Sequence, residues 1–334
     1  MTEYTAIIPV DLSARPDDIM RKSLLLAEAF SKRSARIVFA HNNRGSVADK
    51  QYVQALSLSK SEGVKVVSDK FYDGVVNPAL LRNQAFAHVE TDVILLLDVD
   101  IFPDMELFQH YADAVAAKEA SFFILPCLYL TQCGTDKLLK GKMSIASLKA
   151  KYYDFSRRYF LHLASPSSII FMVRGTYQDL NGFDERFSGH GYEDFDFMVR
   201  LAAHFGLISK PRDFMENIVA RSPLFAQGYR RELGRLVIPA LLKKNLVYHL
   251  FHERGGRADY SAQRHRNFEL FKSKNKSEPS MTEPVDKTLL IAFVKAAEEI
   301  GVEVAEYSVY FDNKPGHVDR FDTFKRRLRF LFNQ

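Results

Sequence analysis

The sequence predicts an α/β protein with a doubly wound, mainly parallel sheet and a small C-terminal helical appendage. Short apolar runs alternate with helical patterns through the first half of the chain, and this order builds parallel sheets. One run, VILLL at residues 93–97, is continuously apolar, as in a strand covered on both faces. The 334 residues suffice for one large domain with an appendage or for two domains.

The predicted elements follow one another in β-α order. The first strand is TAIIPV, and a helix with Pro16 and two acids in its first turn follows it. The further predicted strands are ARIVFAH, VKVVSD, DVILLLDVD, ASFFILPCLYL and SSIIFMVRG. Further helices are NPALLRNQAFAHV and DMELFQHYADAVAAKE. Between Lys137 and Leu163 we expect a long helical stretch rich in polar and aromatic residues.

Two carboxylates end the continuously apolar strand, in the segment Asp98-Val99-Asp100. Taken alone, such a pair is common, and a solvated loop near a helix cap would explain it. Ligands of doubly wound sheets, however, bind at the carboxyl ends of the strands. Carboxylate oxygens there suit Mg²⁺ or Mn²⁺. A metal that bridges protein carboxylates and a diphosphate would indicate a nucleotide-activated substrate.

A second cluster lies in NGFDERFSGHGYEDFDF, residues 181–197. Its glycines permit close backbone approach and positive φ angles. Glu193, Asp194 and Asp196 then open a predicted helix, where the helix dipole favours negative charge. Helix capping would explain the acids but not the glycines. A carboxylate held at a helix start beside a pocket is well placed to act as a general base.

Two histidines three residues apart form the third cluster, in VYHLFHERG. A lone histidine in this position would be structural, and an H-x-x-H pair is weak evidence by itself. In a chain that already carries Asp98 and Asp100, His249 and His252 become candidate metal ligands.

Together, these clusters resemble those of nucleotide-sugar glycosyltransferases with the A-type fold. The sequence is similar to family 2 capsule-type enzymes and to the β-1,4-galactosyltransferases of family 7. The matching features run in the same order over residues 5–270: the IIP strand, an A-x-x-x-N helix, DVD, the NGF-to-ED segment and a histidine. Two features depart from these families, because His190 replaces their usual Trp and AHNNRG replaces an acidic turn.

The resemblance implies roles for individual residues. Glu193 would hold the donor or acceptor sugar and Asp194 would be the catalytic base, while Asp100, His252 and His249 would bind Mn²⁺ or Mg²⁺. Asp98 would contact ribose or sugar. The other positions expected to line the nucleotide or diphosphate site are Pro9, Val10, Asp11, Arg82, Asn83, Val99 and Gly191.

The implied activity is an inverting, metal-dependent transfer of a hexose or N-acetylhexosamine from a UDP-sugar to a glycan or lipid-linked glycan acceptor. A bacterial capsule or lipopolysaccharide pathway is the expected setting. The alternatives are a nucleotidyltransferase acting on sugar phosphates and an inactive glycosyltransferase-like scaffold. A nucleotidyltransferase would normally carry a glycine-rich loop after the first strand, where this chain reads PVDLSARPDD.

Composition sets the remaining expectations. With two cysteines, no secretion signal and no apolar run that could span a bilayer, we expect a cytoplasmic protein. The net charge of +5 does not indicate nucleic acid, because basic residues do not cluster with aromatic platforms around the acids. We expect a catalytic domain over residues 1–270, a linker over 271–284 and a helical, basic appendage over 285–334. Its segment FDTFKRRLRFLF reads as an amphipathic helix that could contact an anionic membrane or pack on the domain.

Overall fold

The computed structural model describes residues 1–33, 35–58, 63–218, 220–253, 257–275 and 282–312, and for residues 257–262 it describes the backbone alone. Within these ranges the chain forms two compact units that interleave along the sequence. The first comprises Met1–Ile124, Ser168–Leu207 and Glu253–Asn275. The second comprises Leu125–Ser167, Ile208–His252 and the chain from Lys276 onward. The domain boundaries expected at 270 and 284 stay a prediction, and the observed units divide the chain at other points.

The first unit is built on a sheet that has six strands in the described part of the chain. Its strands are β1 (Tyr4–Val10), β2 (Ala35–Asn42), β3 (Val64–Asp69), β4 (Val93–Leu96), β5 (Phe122–Ile124) and β8 (Ile170–Val173). They lie in the order β3-β2-β1-β4-β8-β5. The pairs β1–β2, β1–β4 and β2–β3 are parallel, and β8 is antiparallel to both of its neighbours. The mainly parallel α/β class predicted from the sequence is confirmed.

The helices of the first unit are α1 (Pro16–Ser31), α2 (Val47–Leu58), α3 (Pro78–Phe86), α4 (Met105–Ala116), α7 (Arg174–Asp179), α8 (Glu193–His204) and α11 (Arg257–Lys274). Two of them, α3 and α4, begin at residues whose side chains cap them. The side chain of Asn77 accepts a hydrogen bond from Leu80 N at the start of α3, and Asp104 does the same for Leu107 N at α4. Helix α2 had no counterpart among the predicted elements.

The second unit contains a three-stranded sheet in its described residues, in the order β7-β6-β9. The strands are β6 (Cys127–Leu130), β7 (Phe160–Ala164) and β9 (Val247–His249). Its helices are α5 (Gln132–Leu139), α6 (Ile145–Tyr153), α9 (Tyr229–Arg235), α10 (Ile238–Leu242) and α12 (Leu290–Glu299), with 3₁₀ turns at Pro223–Phe225 and Val304–Tyr310. Arg231 is fully buried here and pairs with Asp213 at 2.6 Å and with Glu232 at 2.7 Å.

Three sequence predictions are wrong in detail. ASFFILPCLYL forms two strands in different sheets, β5 and β6, which separate at Leu125 and Pro126, because a proline has no N–H for a strand ladder. The long helical stretch expected from Lys137 to Leu163 is instead the end of α5, then α6 and β7. The strand predicted to reach Asp100 ends at Leu96, so both aspartates follow the strand in a turn.

Both cysteines are free thiols. Among the described residues, every helix is too short or too polar to cross a membrane. The predicted amphipathic segment with Phe321, Lys325 and Arg329 lies outside the described residues.

Candidate functional site

The candidate site of the first unit begins at the carboxyl end of β4. This strand lies between β1 and β8, and its four residues are buried. Because both of its faces are covered, the first polar side chains that follow it emerge at the edge of the sheet. These side chains are Asp98 and Asp100, in a turn closed by the hydrogen bond from Ile101 N to Asp98 O.

Asp98 joins three elements of the first unit. Its Oδ1 accepts a hydrogen bond from Arg82 Nη2 at 2.6 Å, and its Oδ2 accepts one from Ser168 Oγ at 2.7 Å. Arg82 comes from α3 and is 3% exposed. Its Nε and Nη1 atoms are buried and have no partner among the described residues. Spare donors on a buried guanidinium indicate a place for a ligand acceptor atom.

Asp100 is held by two cations from the start of α1. Lys22 Nζ donates to Oδ1 of Asp100 at 2.6 Å, and Arg15 lies against both carboxylate oxygens at 3.1 Å. Lys22 is 1% exposed, and its Nζ also donates to Asp18 at 2.8 Å. Burying a lysine is costly unless it is paired, so this network fixes the Asp100 carboxylate.

Two acids from the first turn of α8 belong to the same group of interacting charges as Arg82 and Asp98. Glu193 is buried, and its Oε2 has no partner among the described residues. Burial is the main cause that raises the pKa of Glu193 to about 8, and the Asp194 carboxylate raises it further, while Arg82 opposes the shift. Glu193 therefore carries its proton at neutral pH. Asp194 is half-buried and accepts a hydrogen bond from Phe195 N at 2.8 Å.

Asp11, at the end of β1, lies in a separate network. Its carboxylate accepts hydrogen bonds from Arg44, from Tyr72 Oη at 2.8 Å and from Asn42 Nδ2 at 3.2 Å. Burial by itself would raise the pKa of Asp11, but the hydrogen bonds from Arg44, Ser13 and Tyr72 outweigh burial and lower it to about 2. Asp11 thus stays charged and orients Arg44 and Tyr72 at the edge of the sheet.

The side chain of Asn83 forms hydrogen bonds with the turn around Phe183. Its Nδ2 donates to Phe183 O at 3.0 Å and to Glu185 Oε1 at 2.8 Å, and its Oδ1 accepts from Tyr177 Oη and Phe183 N. A Cβ at Gly182 would overlap the Asn83 amide, which explains the glycine of the NGF segment. The amide of Asn83 is thus committed to this turn, and its expected contact with a nucleotide stays a prediction.

The remaining positions expected near a nucleotide contribute little side-chain surface. Val10 is 2% exposed and Val99 is 8% exposed, so only their backbone is suited to polar ligand contact. Pro9 is half-buried within β1. Gly191 has a φ of 98° and lies against the Arg264 side chain. Their roles toward a ligand stay predictions.

The two candidate histidines lie in the second unit. His249 ends β9, is 7% exposed and stacks on Tyr129 at a ring distance of 4.0 Å. Its Nδ1 lies 2.8 Å from Leu250 O, and a backbone carbonyl there fixes the proton on Nδ1. His252 lies three residues further on, with its ring centroid 5.4 Å from that of His249. The roles of both histidines as metal ligands stay predictions.

Several residues of the site were missed by sequence reasoning. Arg15, Lys22 and Ser168 contact the aspartates, yet they lie 85, 78 and 70 residues away from them in the chain. The local sequence around α1 reads as an ordinary amphipathic helix with acids in its first turn. It therefore gives no signal that Lys22 points to the edge of the sheet.

Comparison with known proteins gives one family. The model of the family described as glycosyltransferase-like family 2 matches residues 5–277. No curated protein matches the chain.

Solved structures include several similar chains. Staphylococcus aureus TarS 1–349 is 16% identical over 60% of this chain, with a TM-score of 0.40, and the match spans 55% of its own length. A mannosyltransferase from Pyrobaculum calidifontis, in complex with GDP-Man and Mn²⁺, is 13% identical over 92% of this chain and 78% of its own, with a TM-score of 0.47. Drosophila β1,4-galactosyltransferase 7, in complex with xylobiose, is 14% identical over 60% of each chain, with a TM-score of 0.31.

Replacing Lys22 with Met should lower the free energy of unfolding by about 3 kcal/mol, because it takes a buried cation away from two carboxylates. Urea unfolding measures this change. Lys32→Met is the matched control, since Lys32 pairs with Glu28 in solvent, and it should change stability by about 0.5 kcal/mol or less. Equal unfolding midpoints for the two variants would contradict the buried network.

Glu193→Gln should alter how stability depends on pH. The pKa of Glu193 is raised on folding, so its contribution to stability is complete below the usual value of 4.5 and is lost as pH rises toward about 8. Gln mimics the protonated form and does not ionise. The variant should therefore match wild type near pH 4 and melt several degrees higher near pH 8.

Thermal melting across this pH range measures the difference between Glu193→Gln and wild type. Glu106→Gln, a change at an exposed position on α4, is the control and should follow wild type throughout. A Glu193→Gln curve that stays parallel to wild type from pH 4 to about pH 8 would show that Glu193 titrates normally.

Proposed function

The chain belongs to glycosyltransferase-like family 2 and is a glycosyltransferase with the A-type fold, and from this premise we propose how it acts. The enzyme class predicted from the sequence is confirmed. We propose that the enzyme moves a hexose or N-acetylhexosamine from a nucleotide-sugar donor, a UDP-sugar, to a hydroxyl of a glycan acceptor. The observation that carries the proposal is the group of Arg82, Asp98, Glu193 and Asp194 in the first unit.

The proposed base is Asp194. Of the two adjacent acids, Asp194 is the more exposed, and the start of α8 favours its negative charge. Its carboxylate takes the proton of the acceptor hydroxyl while that oxygen forms a bond to C1 of the donor sugar. The bond from C1 to the diphosphate oxygen breaks on the opposite face, and the nucleoside diphosphate leaves with the bonding electrons. Such a displacement inverts the anomeric centre, so an α-linked donor gives a β-linked product.

Glu193 is proposed to bind sugar hydroxyls and not to act as the base. Because it is protonated at neutral pH, it adds no second negative charge beside a donor diphosphate. Its partnerless Oε2 and its carboxyl proton can bond to sugar hydroxyls. Two neighbouring carboxyls whose environments differ in this way can divide the tasks of binding and proton transfer.

Arg82 is suited to the donor end of the same site. Its pairing with Asp98 uses Nη2, which leaves the buried Nε and Nη1 donors for acceptor atoms of the ligand. A guanidinium presents such donors in a fixed plane, so it can orient a phosphate or a sugar oxygen.

The proposed metal ligands remain Asp100, His249 and His252, on the resemblance to the two glycosyltransferase families. The side chains fit a divalent ion chemically, since Mn²⁺ accepts carboxylate oxygen and imidazole nitrogen. With its Nδ1 proton directed to Leu250 O, His249 offers Nε2 as the ligand atom. When bound, a divalent ion neutralises the negative charge that develops on the leaving diphosphate.

We further propose the setting that the sequence suggested, the synthesis of a bacterial capsule or lipopolysaccharide on the cytoplasmic side of a membrane. The acceptor would be a glycan or a lipid-linked glycan. The support is the basic, aromatic composition of residues 319–334, which suits an anionic surface.

Asp194→Asn should lower turnover by about 10²- to 10⁴-fold, because it removes the group that accepts the proton. Donor affinity, measured by calorimetry, should stay close to that of wild type, since Asn keeps the shape of Asp. Asp179→Asn, at an exposed position on α7, is the matched control and should leave turnover unchanged. Near wild-type turnover in Asp194→Asn would mean that another group is the base.

A further inference from the structure

Asn267 ties the loop that precedes the two acids to helix α11. It is fully buried, and its Nδ2 donates to Ser188 O at 3.0 Å and to Gly191 O at 2.9 Å. Because both partners are carbonyl oxygens, the NH₂ group of the amide must face the loop. One side chain therefore holds both ends of the four-residue stretch Ser188–Gly191.

This loop has a backbone that needs such support. Gly189, Gly191 and Tyr192 have φ angles of 79°, 98° and 75°, all in the left-handed region. Glycine adopts this region without strain, whereas a tyrosine does so at a cost on the order of 1–3 kcal/mol. The surrounding structure has to offset the cost at Tyr192.

Helix α11 supplies the packing around Tyr192. The Tyr192 ring lies 5.2 Å from the ring of Phe268 and 5.9 Å from that of Phe271, and the Arg264 guanidinium lies over its face at 5.1 Å. A Cβ at Gly189 would overlap the Gln263 side chain, so the loop and the helix are in close contact. Tyr192 is thus clamped in its unusual conformation from one side.

The same helix is anchored to α8 itself. Lys274 Nζ lies 2.5 Å from Asp196 Oδ1 and donates to Asp184 Oδ2 at 2.7 Å. Helix α11 therefore holds α8 by an ion pair at Asp196 and holds the loop before α8 by the Asn267 amide. Glu193 and Asp194 lie between these two attachment points in the chain.

We propose that Asn267 is a positioning residue for transfer, in that its two hydrogen bonds set the backbone that aims Asp194 and Glu193. Tyr192 is the N-cap of α8, so any rotation of the loop changes the direction in which the next two side chains leave the helix. The inference rests on the proposed function for its catalytic consequence. The attachment of the loop to α11 through the Asn267 amide, which we call the clamp, can be tested without any transfer reaction.

The test compares Asn267→Leu with wild type in the full chain. Leu has the same number and branching of side-chain heavy atoms as Asn, although it is larger, and it donates no hydrogen bond, so peptides covering residues 186–194 should exchange their amide hydrogens faster. Turnover should fall by about 10- to 100-fold, since small misplacements of a reacting group have effects of this size. The donor affinity and the number of donor molecules bound per chain should stay at the wild-type values.

Two further variants sharpen the comparison. Asn267→Ala leaves room for a water that can replace the amide, so it should show a smaller loss of turnover, and it carries the test if the Leu variant fails to fold. Glu269→Gln, at an exposed position of the same helix, should match wild type in every measurement.

Three results would overturn the proposal. One is unchanged amide exchange over residues 186–194, and another is unchanged turnover despite faster exchange. The third is a loss of turnover in proportion to a loss of donor-binding sites, which would mean that Asn267 only keeps the protein folded. If no donor is turned over by the wild type, the proposed function fails, while faster exchange confined to the loop would still support the clamp.

Discussion

The contact between Arg82 and Asp98 at 2.6 Å is the interaction on which the rest of the site depends. Carboxyl groups from the turn after β4 and from the start of α8 meet in one region of the first unit, and like charges in a place of low dielectric repel each other strongly. The buried guanidinium of Arg82 balances that charge. Glu193 lowers the charge further by keeping its proton. Without the Arg82 guanidinium and the proton on Glu193, the carboxylates gathered here would repel each other.

The balancing of negative charge by a cation also explains the second network, in which Lys22 and Arg15 hold Asp100. Each aspartate of the Asp98-Val99-Asp100 segment has its own cationic partner, so the two carboxylates are held separately and need not share a neighbour. A rigid carboxylate is what a metal ion requires, because ligands that are already oriented lose little entropy on binding. The buried charged side chains thus hold polar groups in position at the edge of the sheet.

The parts of the site that the sequence predicted are those encoded by neighbouring residues. A continuous apolar run places Asp98 and Asp100 at a strand end, and glycines followed by acids place Glu193 and Asp194 at a helix start. The long-range partners Lys22, Ser168 and Asn267 were not predicted, because their contacts join residues 70 or more positions apart and leave no local pattern. The prediction of one long helical stretch from Lys137 to Leu163 was wrong for a different reason. Short helices and a short strand have apolar spacings that one long helix would also show.

The most direct test of the account is a measurement of nucleotide release from a panel of UDP-, GDP- and CMP-sugars. The purified chain would be assayed with Mn²⁺, with and without a chelator, beside the Asp194→Asn variant. We expect nucleotide release from one class of donor, and we expect the chelator to abolish it. The Asp194→Asn variant should release nucleotide more slowly while still binding that donor. The proposed function would be contradicted if no nucleotide sugar were bound or cleaved, or if nucleoside triphosphates reacted in their place.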